Sequence, residues 1–372
     1  MPGLVARACE EGEHMSLPTQ RLILLFDGTW NDPQDRTNIY RLARDLHDYD
    51  DHGVRQRFFY EPGVGTRQWE RLTGGAFGWG LSRNLQKGYD WLVRHYMEGT
   101  EIFVFGFSRG AYTARSLVGM IRKCGLLRIS TPSLVEEAET LYRDKQVAPD
   151  DARCRTFRER YSRQVDIHFV GVWDTVGALG IPGTNLSEHG RFAWHDTELS
   201  SIVHHAYQAV ALDEHRAAYD IALWTHPGGE KKPSQLEVEQ RWFMGAHANV
   251  GGGYRMEGGG FDPLASLAYG WLCAKAEVAG LKLYRPPPPA DAYRAQPRDS
   301  YEEFMKGLYR WYRSLRDRGG DGRHYRGYAK DRQGNPAVGV SVDPSVWRRW
   351  QEDDGYRPPT LVRAGCKPPS ES

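Results

Sequence analysis

The hydrophobic pattern alternates between two periods along the first third of the chain. Arg21 to Phe26 (RLILLF) is an apolar run of strand length without polar alternation, which predicts a strand buried on both faces in a parallel sheet. Ile39, Leu42, Ala43 and Leu46 then recur at helical spacing behind Thr37 and Asn38, two candidate caps. Arg57 to Tyr60 predicts a second strand, closed by Glu61-Pro62-Gly63-Val64-Gly65, and Leu81, Leu85, Tyr89, Leu92 and Tyr96 a second helix face. Ile102 to Phe105 predicts a third strand, and Ala111, Ala114, Leu117, Val118 and Ile121 a third helix. Strand and helix alternating in this way specify a mainly parallel central sheet with helices on both faces.

Further along, Pro132 to Tyr161 is charged and reads as a helical excursion away from the sheet. Val165 to Trp173 is the next strand, ending at Asp174-Thr175-Val176-Gly177, and residues 180–200 read as loop. His204 to Ala218 is expected to be helical, carrying Asp213-Glu214-His215-Arg216, with Ala222-Leu223-Trp224 a short strand. Gln240 to Ala246 is a strand running into His247, Leu264 to Val278 a helix, and Pro286 to Pro289 a stiff connector. The expected organisation is a frayed terminus over 1–20, a catalytic domain over 21–285, and a basic, aromatic segment over 286–372 packed on or covering it.

Composition narrows the class. Among 372 residues, 49 Lys and Arg balance 48 Asp and Glu, so overall charge does not point to nucleic acid. Twelve Trp and 20 Tyr argue against disorder and supply rings for an apolar cleft. Cys9, Cys124, Cys154, Cys273 and Cys366 are scattered and odd in number, which fits neither a disulfide framework nor a zinc site. No segment reaches the roughly 18 apolar residues of a membrane span, and the N-terminus lacks a signal-peptide core. The expectation is a protein soluble and cytoplasmic as made.

The candidate chemistry centres on Gly106-Phe107-Ser108-Arg109-Gly110, a G-x-S-x-G between a strand and a helix. That context forces the serine into a strained turn and projects its hydroxyl above the sheet. The helix N-terminus and the Arg109 amide are then placed to stabilise an oxyanion, with amides near Gly28 and Thr29 on the opposite side. Gly28 and Thr29 belong to Asp27-Gly28-Thr29-Trp30-Asn31, a turn cluster at the end of the first strand that either faces the site or bonds its own backbone. A serine nucleophile requires a base, and His247 follows an apolar strand within a loop that includes Gly251 to Gly253. Two carboxylates qualify as the orienting acid. Asp174 ends the strand after the nucleophile strand, and Asp213 lies between Ser108 and His247 in chain order. Gly74 to Gly80, four glycines among two aromatics and no P-loop lysine, reads as a loop over the cleft or a linker.

Five motifs together, FDGTWN (26–31), GFSRGAYTAR (106–115), VGVWDTVG (170–177), ALDEHR (211–216) and GAHANVGGGY (245–254), resemble the catalytic domain of the type VI secretion phospholipase effectors and their stand-alone relatives. The resemblance covers roughly residues 21 to 270. It implies an α/β-hydrolase fold and hydrolysis of phospholipid acyl esters through a Ser-Asp-His triad. It puts the nucleophile on Ser108, the histidine on His247 and the acid on Asp213, with Asp174 second. Asn249 stands where the family carries an aspartate in H-x-D-V-G-G-G-Y, which removes a charge. The implied partners are a lipid or ester substrate, a peripheral membrane contact, and a secretion-apparatus or immunity protein, with delivery outside the cell and no nucleic acid. No metal or organic cofactor is expected. The alternatives are a carboxylesterase acting on soluble esters, a non-catalytic hydrolase-fold protein binding a lipid or partner, and a metal-dependent phosphoesterase built on Asp27, Asp174 and His247. The last lacks any compact ligand motif such as H-E-x-x-H.

Overall fold

The alternating elements pair into one seven-stranded parallel sheet. The computed structural model describes residues 17–28, 35–63, 74–177, 198–303 and 322–369. Its strands are β1 (Gln20–Phe26), β2 (Arg55–Glu61), β3 (Thr100–Phe107), β6 (Ile167–Trp173), β7 (Val203–Ala211), β8 (Glu237–Phe243) and β9 (Val340–Val342), in the order β2-β1-β3-β6-β7-β8-β9. A small two-stranded pair, β4 (Leu126–Leu127) and β5 (Ser162–Arg163), lies apart. The fold is of the α/β-hydrolase kind. Strand order reverses between β1 and β3, and the crevice beyond the carboxyl ends at such a reversal is where sheets of this kind bind ligands.

Side-chain alternation sorts the core into two layers. Leu22, Leu24, Phe26, Ile102, Val104, Val170 and Val172 face α2 (Gly74–His95), α3 (Arg109–Cys124) and α4 (Pro132–Arg143). Ile23, Leu25, Phe103, Phe105, Phe107, Phe169, Trp173 and Tyr207 face α1 (Asn38–Asp45) and α7 (Pro263–Val278). Each of these large side chains contributes roughly 1.5–3 kcal/mol by leaving water. Thr37 caps α1 by accepting from the Tyr40 amide, and Asp262 caps α7 by accepting from the Leu264 amide. The charged excursion is helical: α4 is followed by α5 (Ala152–Tyr161).

Three expectations are corrected. His204 to Ala211 is not helical but forms most of β7, the strand between β6 and β8. Both of its faces are buried, so no alternation distinguishes it from an alanine-rich helix. Asp213 to Arg216 therefore lie in the loop after a strand. Ala222 to Trp224 makes no strand; isolated bridges flank it, from Ile221 to Val176 and from Thr225 to Glu198 and Ala337. Gly74 to Gly80 opens helix α2 instead of forming a loop. Its glycines disfavour a helix, but burial of Leu81, Leu85, Tyr89 and Leu92 farther along outweighs that penalty.

The segment after Pro289 packs on the far edge of the sheet. After the short helix α8 (Ser300–Glu303), β9 extends it beside β8, and α9 (Pro344–Glu352) and α10 (Pro359–Arg363) bring Val346, Tyr356 and Leu361 against Trp242, Met244 and Leu223. Thr29, Trp30 and Asn31, most of the expected loop over 180–200, and 304–321 of the tail lie outside the described residues.

Register brings the strand ends level. Phe26 pairs with Gly106, Phe107 with Trp173, Trp173 with Ala209, and Ala211 with Phe243. Asp27, Ser108, Asp174, Asp213 and His247 thus emerge on one rim. The turn into α3 depends on Gly110, where an added Cβ would stand 2.1 Å from the Phe26 carbonyl oxygen and 2.5 Å from that of Asp27. Both obstacles are backbone and cannot swing aside. Gly110→Ala is expected to destabilise the protein by about 2 kcal/mol and to lower the thermal unfolding midpoint; an unchanged midpoint would mean that β1 and α3 separate without strain.

Candidate active site

Ser108 sits between β3 and α3 with φ +58° and ψ −120°, a conformation that non-glycine residues rarely adopt. Its amide donates to the Trp173 carbonyl at 3.0 Å, which ties the elbow to the end of β6. Gly106 is required on the strand side, since a Cβ there would lie 2.5 Å from the Ala111 Cα. The hydroxyl is buried and meets His247 Nε2 at 2.8 Å.

His247 opens the short helix α6 (His247–Gly251) directly beyond β8. Its ring stacks on Phe107 at 4.7 Å and meets the Tyr219 ring edge-on at 5.1 Å, so two aromatic contacts fix its plane. Gly251 makes room for this packing: a Cβ there would fall 1.9 Å from the Phe107 ring. On the side away from Ser108, Nδ1 lies 2.6 Å from Asp174 Oδ2.

Asp174 is fully buried, with φ +42°. Its carboxylate accepts from the Ala211 amide at 2.8 Å, from Arg326 Nη1 at 2.6 Å and Nη2 at 2.9 Å, and from His247. Burial pushes this carboxyl up, but the Arg326 guanidinium and His247 outweigh it and hold it well below the usual carboxylate range. Burial also pushes the His247 imidazole below its ordinary value, against the pull of the Asp174 hydrogen bond and charge.

The structure brings Ser108, His247 and Asp174 together and does not bring Asp213 to the histidine. Asp213 instead accepts from the Gly245 amide at 2.6 Å and the Tyr356 hydroxyl at 3.0 Å, while its own amide donates to the Gly245 carbonyl. It clamps the turn between β8 and His247. Its neighbour Glu214 reaches the site from below: it accepts from the His247 amide at 3.2 Å, from Arg216 Nε at 2.8 Å and from the Ser300 hydroxyl at 3.0 Å. Burial raises the Glu214 carboxyl, and Arg216 more than compensates, leaving it at about 2.

The other predicted groups divide. Arg109 begins α3 beside Ser108, at the helix end where backbone amides have no acceptor within the helix. The Gly28 amide donates to Asp27 Oδ1 at 2.7 Å. Asp27 also accepts from the Thr37 and Tyr60 hydroxyls, a local structural role. Thr29 lies outside the described residues. Among the described residues, no three His, Cys, Asp or Glu side chains cluster as a metal site. Two participants escaped the sequence reading. Arg326 is one arginine in an arginine-rich tail and carries no local signal, whereas Glu214 lay within a recognised motif next to the residue singled out.

Comparison with known proteins places this geometry. A family model described as T6SS, Phospholipase effector Tle1-like, catalytic domain, matches residues 20–275. The chain belongs to this family. The match spans all five motifs that resemble this family. The uncharacterized protein YEL023C of Saccharomyces cerevisiae is 30% identical over 232 residues, which cover 55% of this chain and 33% of that protein. A crystal structure of an uncharacterized protein from Pseudomonas aeruginosa covers 71% of this chain and 46% of its own, at 17% identity and a TM-score of 0.40. That of a presumed carboxylesterase from Lactobacillus plantarum WCFS1 covers 56% of this chain and 70% of its own, at 13% identity and a TM-score of 0.30. The chain thus spans about a third of the length of the yeast relative. No helix among the described residues is long and apolar enough to cross a membrane.

The family aspartate that is Asn249 here has a definite environment. Asn249 Nδ2 donates to Asp262 Oδ2 at 2.8 Å, and its Oδ1 accepts from the Ala246 and Arg298 amides. Burial already raises the Asp262 carboxyl. Asn249→Asp would face two buried carboxylates, raising a folded-state pKa above its unfolded value. A raised pKa gives stability that is present at low pH and lost as pH rises through the folded value. The variant is expected to lose about 1–3 kcal/mol at neutral pH and to regain part of it toward pH 5, read as unfolding midpoints across pH. A pH-independent difference from wild type would show that the new carboxylate escapes Asp262.

Proposed function

We propose that the chain hydrolyses phospholipid acyl esters through a triad of Ser108, His247 and Asp174. The observation that carries this reading is the continuous hydrogen-bonded line from the Ser108 hydroxyl through both ring nitrogens of His247 to the Asp174 carboxylate. An ionised Asp174 accepts the Nδ1 proton, so the neutral imidazole exposes an unprotonated Nε2 toward Ser108. As Ser108 Oγ attacks the ester carbonyl, its proton passes to Nε2, and Asp174 stabilises the imidazolium that forms. The imidazolium then protonates the leaving alcohol, and water enters by the same base to release the acid from the acyl-enzyme. The Arg109 amide and the α3 dipole supply positive potential where the oxyanion develops. Family membership supports phospholipid as the substrate, a membrane surface as its source, and a secretion-apparatus or immunity partner. A carboxylesterase acting on soluble esters is the alternative.

Ser108→Ala is expected to retain the fold and to lose several orders of magnitude in kcat, as triad serines do. Fluorophosphonate labelling of Ser108, with turnover of phospholipid vesicles and of a short soluble ester, checks both parts. Undiminished turnover by the folded variant sinks the serine mechanism, and activity on the short ester alone sinks the phospholipid assignment.

The acid has its own test. Asp174→Asn is expected to lower kcat by about 10⁴-fold with little change in KM, because the amide favours the wrong imidazole tautomer. Asp213→Asn should act through the Gly245 turn, lowering the unfolding midpoint more than kcat. The reverse ranking in kcat of the folded variants would return the acid to Asp213.

A further inference from the structure

The acid of the site is itself held by a side chain from outside the region that defines the family. Arg326 lies beyond residue 275, where the family match ends. Its side chain and that of Asp174 are both fully buried, and its two terminal nitrogens grip the two carboxylate oxygens one each. The same nitrogens donate to the Ala211 and Tyr219 carbonyls, so the fork is fixed from behind by the ends of β7 and the following loop. The chain leading to it is anchored too: the His324 amide donates to the His215 carbonyl at 2.9 Å, and Arg363 of α10 covers the Tyr325 ring at 3.9 Å.

We propose that Arg326 is a positioning residue for the hydrolytic reaction, by which the C-terminal segment orients the Asp174 carboxylate on His247 and sets the basicity of the imidazole. This rests on the triad reading above. A two-point fork allows one carboxylate rotation, the one that turns Oδ2 toward Nδ1, whereas a lone buried carboxylate could rotate. The charge argument is independent of the orientation argument. The charged groups around His247 are Asp174 at the end of β6, Glu214 and Arg216 after β7, Arg109 at the start of α3, and Arg326, with the Tyr219 hydroxyl on the same loop. Burial favours the neutral, base-competent imidazole at rest and Arg216 acts with it, whereas Asp174 and Glu214 pull toward the charged form. The Asp174 carboxylate, already bonded to Nδ1 at rest, gains charge stabilisation from the imidazolium that forms during the reaction. Without Arg326 the buried carboxylate would lose its fixed counter-ion, and a protonated His247 would be the remaining cation able to neutralise it. His247 would then hold its proton to higher pH.

The experiment uses the full chain and a short soluble ester, with kcat and KM measured from pH 5 to 9 beside fluorophosphonate labelling and thermal unfolding. For folded Arg326→Met, kcat is expected to fall about 10²-fold, KM to change little, and the acidic limb of kcat/KM to move to higher pH. Arg326→Lys keeps a charge without the fork and is expected to lose about tenfold in kcat, with a smaller displacement of the limb. It decides the matter if the Met variant does not fold. An acidic limb superimposed on wild type in the folded variants, whether or not kcat or the unfolding midpoint falls, overturns the proposal and leaves Arg326 a structural residue. Failure of wild type to label at Ser108 overturns the triad reading instead, and the proposal with it.

Discussion

A carboxylate with no access to water is the constraint around which this molecule is arranged. Asp174 ends a central strand, and an ionised group at such a depth is tolerated only if its charge and lone pairs are met. The Ala211 amide, both ends of the Arg326 fork and His247 meet them. Those donors come from β7, the C-terminal segment and the start of α6. Satisfying one carboxylate therefore ties together three parts of the chain that are far apart in sequence. The last of these donors is mobile in protonation state, which turns a structural necessity into chemistry.

The serine side of the site is built by exclusion of volume. Gly106 and Gly110 let α3 start against β1 and β3 so closely that any side chain would overlap backbone, and Gly251 admits the Phe107 ring beneath the imidazole. Phe107 thereby joins two roles: it closes the aromatic layer of Phe103, Phe105, Phe169 and Trp173, and it carries His247 on its face. Core packing transmits directly to the orientation of the imidazole. The strained Ser108 backbone persists because the Trp173 carbonyl holds its amide and α3 cannot retreat.

How much of this was legible follows from the range of the interactions. The elbow at Ser108 and the glycine-dense loop after His247 are local, so period, glycine placement and strand length reveal them. Asp174 was legible as a strand end, because consecutive parallel strands present their carboxyl ends to one rim. The strand β7 was not, since burial on both faces erases the alternation that separates strands from helices. Arg326 leaves no trace in local pattern: its partner lies 152 residues away, and nothing in the residues beside it distinguishes it from the arginines around it. The loop assignment at Gly74 to Gly80 failed because packing farther along α2 outweighed glycine's poor propensity.

The two candidate acids show why position along a strand end is insufficient without partners. Asp174 and Asp213 both follow central parallel strands; Asp174 is fully buried and Asp213 half-buried. Burial raises the carboxyl of each, but Asp174 is hydrogen-bonded by a guanidinium and its carboxyl is held below the usual range, while that of Asp213 is raised. Asp213 meets a backbone amide and a tyrosine hydroxyl, neutral donors suited to fixing a turn. An acid that must remain ionised beside an imidazole needs donors or a cation to meet its charge, and Asp174 has both. A carboxyl that only clamps a loop does not need the cation. The motif ALDEHR thus contributes to the site through a backbone clamp at Asp213 and a second buried ion pair at Glu214 and Arg216. The two carboxylates divide the work of the rim: one holds the loop that carries His247, and the other holds the ring.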